Sequence, residues 1–201
     1  MTDALVFDYD GVIADTEPLH WRSWATLLSR YDIPFSWEEY RGEWRGVSNA
    51  QMFEAFRKRL PLSDIAELLR QNDQRKCLVC QWSLAEIPIP QATIETLSTP
   101  DAYCIGLVTS SERPDVEPLL RASEIYEYFV LVFGEDVAAH KPAPDPYLLI
   151  AQKLDVSTGI AFVDSESGVE SALATGFKVV RVEQPTELAQ IVARSLRQST
   201  L

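Results

Sequence analysis

The chain has 201 residues, 46% hydrophobic and 24% charged, enough for one sizeable core plus a small accessory module. Its formal net charge of −12, carried by scattered acids, argues against nucleic acid or an anionic membrane as partner, and any phosphate must be captured by local positive groups. No apolar stretch approaches the ~20 residues a bilayer span requires, and no basic segment followed by a long apolar one opens the chain, so the expected location is the cytoplasm.

Ala4 to Phe7 reads as a buried strand, with Asp8, Asp10 and Gly11 at its exit. Strand side chains alternate, so Asp8 and Asp10 are expected on one side of the sheet's carboxyl edge, where open α/β sheets bind ligands. Helical spacing follows over Pro18 to Tyr31. Two capping patterns, Ser36-Trp37-Glu38-Glu39 and Ser48-Asn49-Ala50-Gln51, precede helices predicted over Trp37–Trp44 and Asn49–Lys58. Pro61 closes that region, and Ser63 is placed as the cap of a long helix reaching about Ser83. Cys77 and Cys80, a lone pair on that helix, read as buried helical cysteines rather than half of a metal or redox site.

Beyond Glu86 short apolar runs alternate with helical stretches. Strands are predicted over Tyr103–Val108, Phe129–Phe133, Gly159–Val163 and Phe177–Val182. Helices are predicted over Asp145–Leu154, Val169–Thr175 with Gly176 as the stop, and Thr186–Leu196. That alternation implies a parallel sheet covered on both faces. The expected division is a core of residues 1–16 and 84–201 with a helical insert over 17–83.

Each later strand delivers a polar group to the same edge as Asp8 and Asp10. The first brings Thr109-Ser110-Ser111, able to cradle an oxyanion or to cap a helix. The next leads to Lys141 in a proline-stiffened loop, and the third ends in Asp164, a metal ligand or a helix cap. A carboxylate pair, a hydroxyl, a lysine and a further carboxylate at one sheet edge suit phosphoryl transfer.

These segments, Phe7-Asp8-Tyr9-Asp10-Gly11-Val12 through Asp15-Thr16-Glu17 and Lys141-Pro142-Ala143-Pro144-Asp145 above all, resemble the motifs of the haloacid dehalogenase-like (HAD) superfamily. The likeness is to its β-phosphoglucomutase and phosphoglycolate phosphatase-like branch, and it covers nearly the whole chain. It implies an α/β HAD-like core of Rossmann type with a parallel sheet, and an inserted all-helical cap that closes over the site. By the resemblance Asp8 is the nucleophile and Asp10 the general acid and base. Thr109, Ser110 and Lys141 would bind the phosphoryl group. Mg2+ would be held by the Asp8 carboxylate, the Asp10 backbone carbonyl and Asp164. In the cap, His20, Arg45 and Ser48 match substrate-side positions, although a lone cap arginine is also commonly a surface charge.

Two departures qualify the match. Val163 stands where the branch usually has a glutamate, leaving Glu166 or water to fill the metal's coordination. Asn49 stands where the mutases carry an arginine for a distal phosphate. The expectation is an Mg2+-dependent phosphatase acting on a small phosphorylated metabolite, with a sugar phosphomutase and a non-catalytic scaffold as alternatives. Nothing in the pattern sets the oligomeric state.

Overall fold

The computed structural model describes residues 4–59, 65–98 and 103–199. Five parallel strands form one sheet in the order β3-β2-β1-β4-β5, with β1 at Ala4–Phe7, β2 at Cys104–Val108, β3 at Val130–Val132, β4 at Gly159–Val163 and β5 at Lys178–Arg181. The first strand in sequence is therefore the central one. Phe7 pairs in register with Leu107 on one side and Phe162 on the other, bringing the ends of β1, β2 and β4 to one edge.

Alternation along β1 divides the core. Leu5 and Phe7 face one apolar layer, where Phe7 stacks on Phe162 with ring centroids 4.9 Å apart. Ala4 and Val6 face the other, filled by Val108, Val132, Tyr147, Ile150, Val163 and Ala172. The predicted bounds of β1, β4 and the helix Asp145–Leu154 coincide with the observed ones. The helix expected from Val169 starts at Glu166 instead, because Ser165 Oγ caps it by accepting from the Gly168 amide at 3.2 Å. Helices at Gln91–Leu97 and Arg113–Ala122 have no counterpart in the predicted set. The second carries Pro118 in its interior, a residue that ordinarily signals a break.

Between β1 and β2 the chain is helical: Glu17–Ser29, Trp37–Glu39 running on as a π-turn over Tyr40–Trp44, Asn49–Arg57 and Ile65–Glu86. Both capping patterns form: Ser36 Oγ accepts from the Glu39 amide at 3.0 Å, and Ser48 and Gln51 cap each other reciprocally. Pro61 and the expected cap Ser63 lie outside the described residues. These helices enclose their own apolar cluster, with Trp24, Leu28, Tyr40, Met52 and Phe56 buried. The last of them turns a partly polar stripe inward: Asn72, Arg75, Val79 and Ser83 are buried. Cys77 and Cys80 occupy other faces of that helix, so Cys77 is exposed and Cys80 half-buried, contrary to their expected burial. No helix among the described residues is long and apolar enough to cross a membrane.

Candidate active site

Asp8 follows the last residue of β1 and is anchored by its own backbone amide, which donates to Phe162 O at 2.9 Å. Its carboxylate accepts from Lys141 Nζ at 2.6 Å and from the Tyr9 amide at 2.9 Å. Lys141 also donates to Val108 O at 3.0 Å, so the β2 end aims the ammonium at the β1 end. Both members of the pair are buried, at 5% and 3% exposure. Burial raises the Asp8 pKa and outweighs the pull of Lys141, while the charge of Asp10 adds to the rise.

Residues 9–14 make a tight turn that returns Asp10 toward the sheet edge; Gly11 takes φ +73° there. A Cβ at Gly11 would lie 2.3 Å from Asp164 Oδ2, so only glycine lets the β1 and β4 exits approach this closely. Asp10 Oδ1 accepts from Thr16 Oγ1 at 2.5 Å and lies 3.1 Å from His20 Nε2; Oδ2 accepts from Ser111 Oγ at 2.7 Å and Thr109 Oγ1 at 3.3 Å. Burial alone would raise Asp10, yet His20, Thr16 and Ser111 together hold it down to about 2. Burial opposes the charge on His20, but Asp10 and Glu17 overcome it and raise the imidazole, favouring the imidazolium. Both shifts favour an ion pair of Asp10 and His20 beside the nucleophile candidate.

Asp164, at the β4 exit, is pushed up to about 8 by burial and then by the charges of Asp8 and Glu17, against the pull of Arg45. Arg45 Nε donates to Asp164 Oδ2 at 2.7 Å. The neighbouring Gly46 takes φ +74°, and a Cβ there would stand 2.6 Å from Ser165 Oγ, so the cap segment 45–46 sits directly on the loop after β4. Glu17, at the start of the first cap helix, accepts from the Tyr40 hydroxyl; burial and then Asp10 raise it to about 7.

A narrow cleft brings together Asp8, Asp10, His20, Ser48, Ser110 and Asp164, with Asn49 and Ser111 also in its wall. Thr109 and Lys141 stand behind it through their bonds to Asp10 and Asp8. Arg45 is directed at Asp164 and lines a separate groove with Trp37, Arg41 and Glu183. Ser111, Thr16 and Glu17 escape the sequence reading as site residues. Ser111 is the third hydroxyl of a run in which only the first two were assigned, and Thr16 and Glu17 lie inside the quoted motif.

The donor set suits a hard divalent ion: Asp8 and Asp164 are buried carboxylates, and the charge of Asp8 helps to raise Asp164, an excess of negative charge that such a cation would relieve. Among the described residues no three His, Cys, Asp or Glu side chains converge on one point, whereas the expected set needs only two carboxylates and a backbone carbonyl. Val163 points into the core with no exposure, and Glu166 is an exposed partner of Arg181. Glu166 therefore does not replace the missing acid, because the first turn of its helix carries it away from the cleft.

The family model described as haloacid dehalogenase-like hydrolase matches residues 5–182. A phosphorylated carbohydrates phosphatase of Thermotoga maritima is 30% identical over 180 residues, covering 88% of this chain and 82% of the relative. The fructose-1-phosphate phosphatase YqaB of Escherichia coli is 30% identical over 186 residues, covering 89% and 95%. Among solved structures, CbbY from Rhodobacter sphaeroides in complex with phosphate superposes with a TM-score of 0.76 at 26% identity, covering 90% of this chain and 86% of that one.

Proposed function

The chain belongs to the haloacid dehalogenase-like hydrolase family, and from that premise we propose that it is a phosphatase of small phosphorylated metabolites, sugar phosphates foremost, working through an aspartyl-phosphate. The observation that carries the reading is the pairing of roles within one cleft. Asp8 is held by a buried ammonium at 2.6 Å, while Asp10, beside it, is coupled at 3.1 Å to a histidine able to supply a proton.

Asp8 attacks phosphorus in line, and the leaving oxygen takes a proton from the Asp10–His20 pair. A water then attacks the acylphosphate, giving its proton back to Asp10 and freeing phosphate. Lys141, Thr109 and Ser110 offset the charge spread over the phosphoryl oxygens. Mg2+, held by Asp8, Asp164 and the Asp10 carbonyl, would supply Lewis-acid stabilisation of the same oxygens and offset the repulsion between ligand and substrate. The helical cap, through His20, Ser48 and Asn49, encloses the ester and excludes bulk water.

A phosphate-release screen over phosphorylated metabolites with Mg2+, run beside Asp8→Asn, tests this. Release by the wild type and a loss of at least about 1,000-fold in the variant are expected. Comparable Mg2+-dependent release by Asp8→Asn overturns the mechanism, and isomerised sugar phosphate in place of inorganic phosphate makes the protein a mutase.

A further inference from the structure

Cap and core are tied together by charge at the exit of β4. Arg45 Nε donates to Asp164 Oδ2 at 2.7 Å, and among the described residues no other cation pairs with that carboxylate. Oδ2 is the oxygen turned to the β1 exit. A Cβ at Gly11 would stand 2.3 Å from it and 3.2 Å from Arg45 Nη2, so the guanidinium lies across the seam between the two exits. Those exits carry Asp8, the Asp10 carbonyl and Asp164, the groups assigned to a divalent ion. A cation of the cap thus supplies positive charge at the seam that the ion would serve.

Arg45 is built both to hold and to let go. Its side chain keeps 23% exposure while that of Asp164 keeps 2%, so the guanidinium can swing to water and the carboxylate cannot follow. Burial works against the charge on Arg45, but Asp164 and then Glu17 raise it, so the arginine is held as a cation. The backbone beside it is seated on the core as well. A Cβ at Gly46 would stand 2.6 Å from Ser165 Oγ, and Ser167 Oγ donates to Gly46 O at 3.4 Å. Another charged tie between cap and core, Lys76 to Glu112 at 2.6 Å, uses no carboxylate of the site.

We propose that Arg45 is a latch that reads metal occupancy: it holds the cap segment on Asp164 in the metal-free protein and is released when a divalent ion takes that carboxylate, so that metal loading precedes opening for substrate. The inference rests on the reading of Asp8 and Asp164 as metal ligands, and not on which substrate follows. A guanidinium spreads a single charge over its plane and loses a hard carboxylate to a divalent ion, whose own charge then repels it. The coupling is reciprocal, so whatever the latch adds to closure is subtracted from metal affinity.

Phenylglyoxal labels accessible guanidinium groups, and peptide mass spectrometry then reads the latch in wild-type protein, with exposed Arg41 as internal standard. Arg45 is expected to react slowly after metal removal, and at least about fivefold faster relative to Arg41 in saturating Mg2+ at matched ionic strength. In Asp164→Asn it reacts fast without metal and gains nothing from Mg2+. Calorimetry gives the reciprocal arm, with Mg2+ binding to Arg45→Gln about tenfold tighter than to wild type. Mg2+ binding that leaves Arg45 labelling unchanged or slowed, or an Arg45→Gln affinity no tighter than wild type, overturns the latch and leaves the metal-site reading standing. No Mg2+ binding by the wild type removes both. None of these readouts needs turnover, so failure of the phosphatase reading in the phosphate-release screen leaves the latch to stand or fall on its own.

Discussion

Replacing Lys141 with methionine strips the ammonium from the buried Asp8 carboxylate while keeping most of the side chain's volume. The lost pair has an Nζ to Oδ2 distance of 2.6 Å and lies beneath the cleft. An uncompensated buried carboxylate costs about 3–5 kcal/mol, but Asp8 has an escape, since it can take up a proton in the folded state. For a carboxyl with an ordinary pKa of 3.8 that uptake costs about 4.4 kcal/mol at pH 7 and about 1.6 kcal/mol at pH 5, at 1.36 kcal/mol per unit. These figures bound the charge-dependent loss. With about 2–4 °C of Tm per kcal/mol in a chain of this size, the charge-dependent loss of the metal-free variant should not exceed about 9–18 °C at pH 7 and about 3–6 °C at pH 5. The carbonyl of Val108 loses its donor at either pH, adding a constant offset of about 1 kcal/mol. Thermal melts at the two pH values check this, and Asp8→Asn/Lys141→Met should show no such pH dependence because its carboxylate is gone. Equal losses at pH 5 and 7, or additive effects of the two substitutions, would refute a coupled buried pair.

Three further outcomes follow from the same geometry. Gly11→Ala puts a methyl 2.3 Å from Asp164 Oδ2 at a backbone φ of +73°, so chemical denaturation should show a loss of about 1–3 kcal/mol, with Mg2+ affinity measured by calorimetry falling as the two strand exits are forced apart. Glu17 titrates near 7 when folded and near 4.5 when unfolded, so its contribution is complete below about 4.5 and is lost as pH rises through about 7. Glu17→Gln, which still accepts from Tyr40, should therefore gain on the wild type by up to about 3 kcal/mol between pH 5 and 8 in urea titrations. Arg45→Gln removes a positive charge from Asp164 Oδ2 and should tighten Mg2+ binding about tenfold by calorimetry; weaker binding would make Arg45 a support of the metal site instead of its competitor.

The groups at strand exits are readable from sequence because backbone position alone carries them to the sheet edge. Asp8 and Asp164 need only a strand, its end and a parallel neighbour to be brought within reach of one another, and Lys141 reaches them from the loop that follows β3. Arg45 is different: its local pattern marks it as a cap residue facing substrate, and only the three-dimensional seat of Gly46 on Ser165 turns its guanidinium to a carboxylate 119 positions away. The polar face of Ile65–Glu86 blurs the amphipathic period for the same reason, since Asn72, Arg75 and Ser83 are buried and Arg75 finds its partners Ser23 and Asn49 on other helices. Prolines mislead in the opposite sense at Arg113–Ala122, where Pro114 fits the first turn and Pro118 is tolerated inside.

The order of the strands bears on how the molecule comes into being. The middle of the sheet is synthesised first, and its two neighbours, Cys104–Val108 and Gly159–Val163, emerge about 100 and 155 residues afterwards. Until then both edges of Ala4–Phe7 lack their native ladders, and every residue of that strand is apolar. Because the contacts that close it span most of the chain, the nascent protein is obliged to keep this segment from pairing with strangers while translation proceeds. The ammonium that pairs with Asp8 arrives 133 positions later, so the candidate site comes together only after most of the chain has been made.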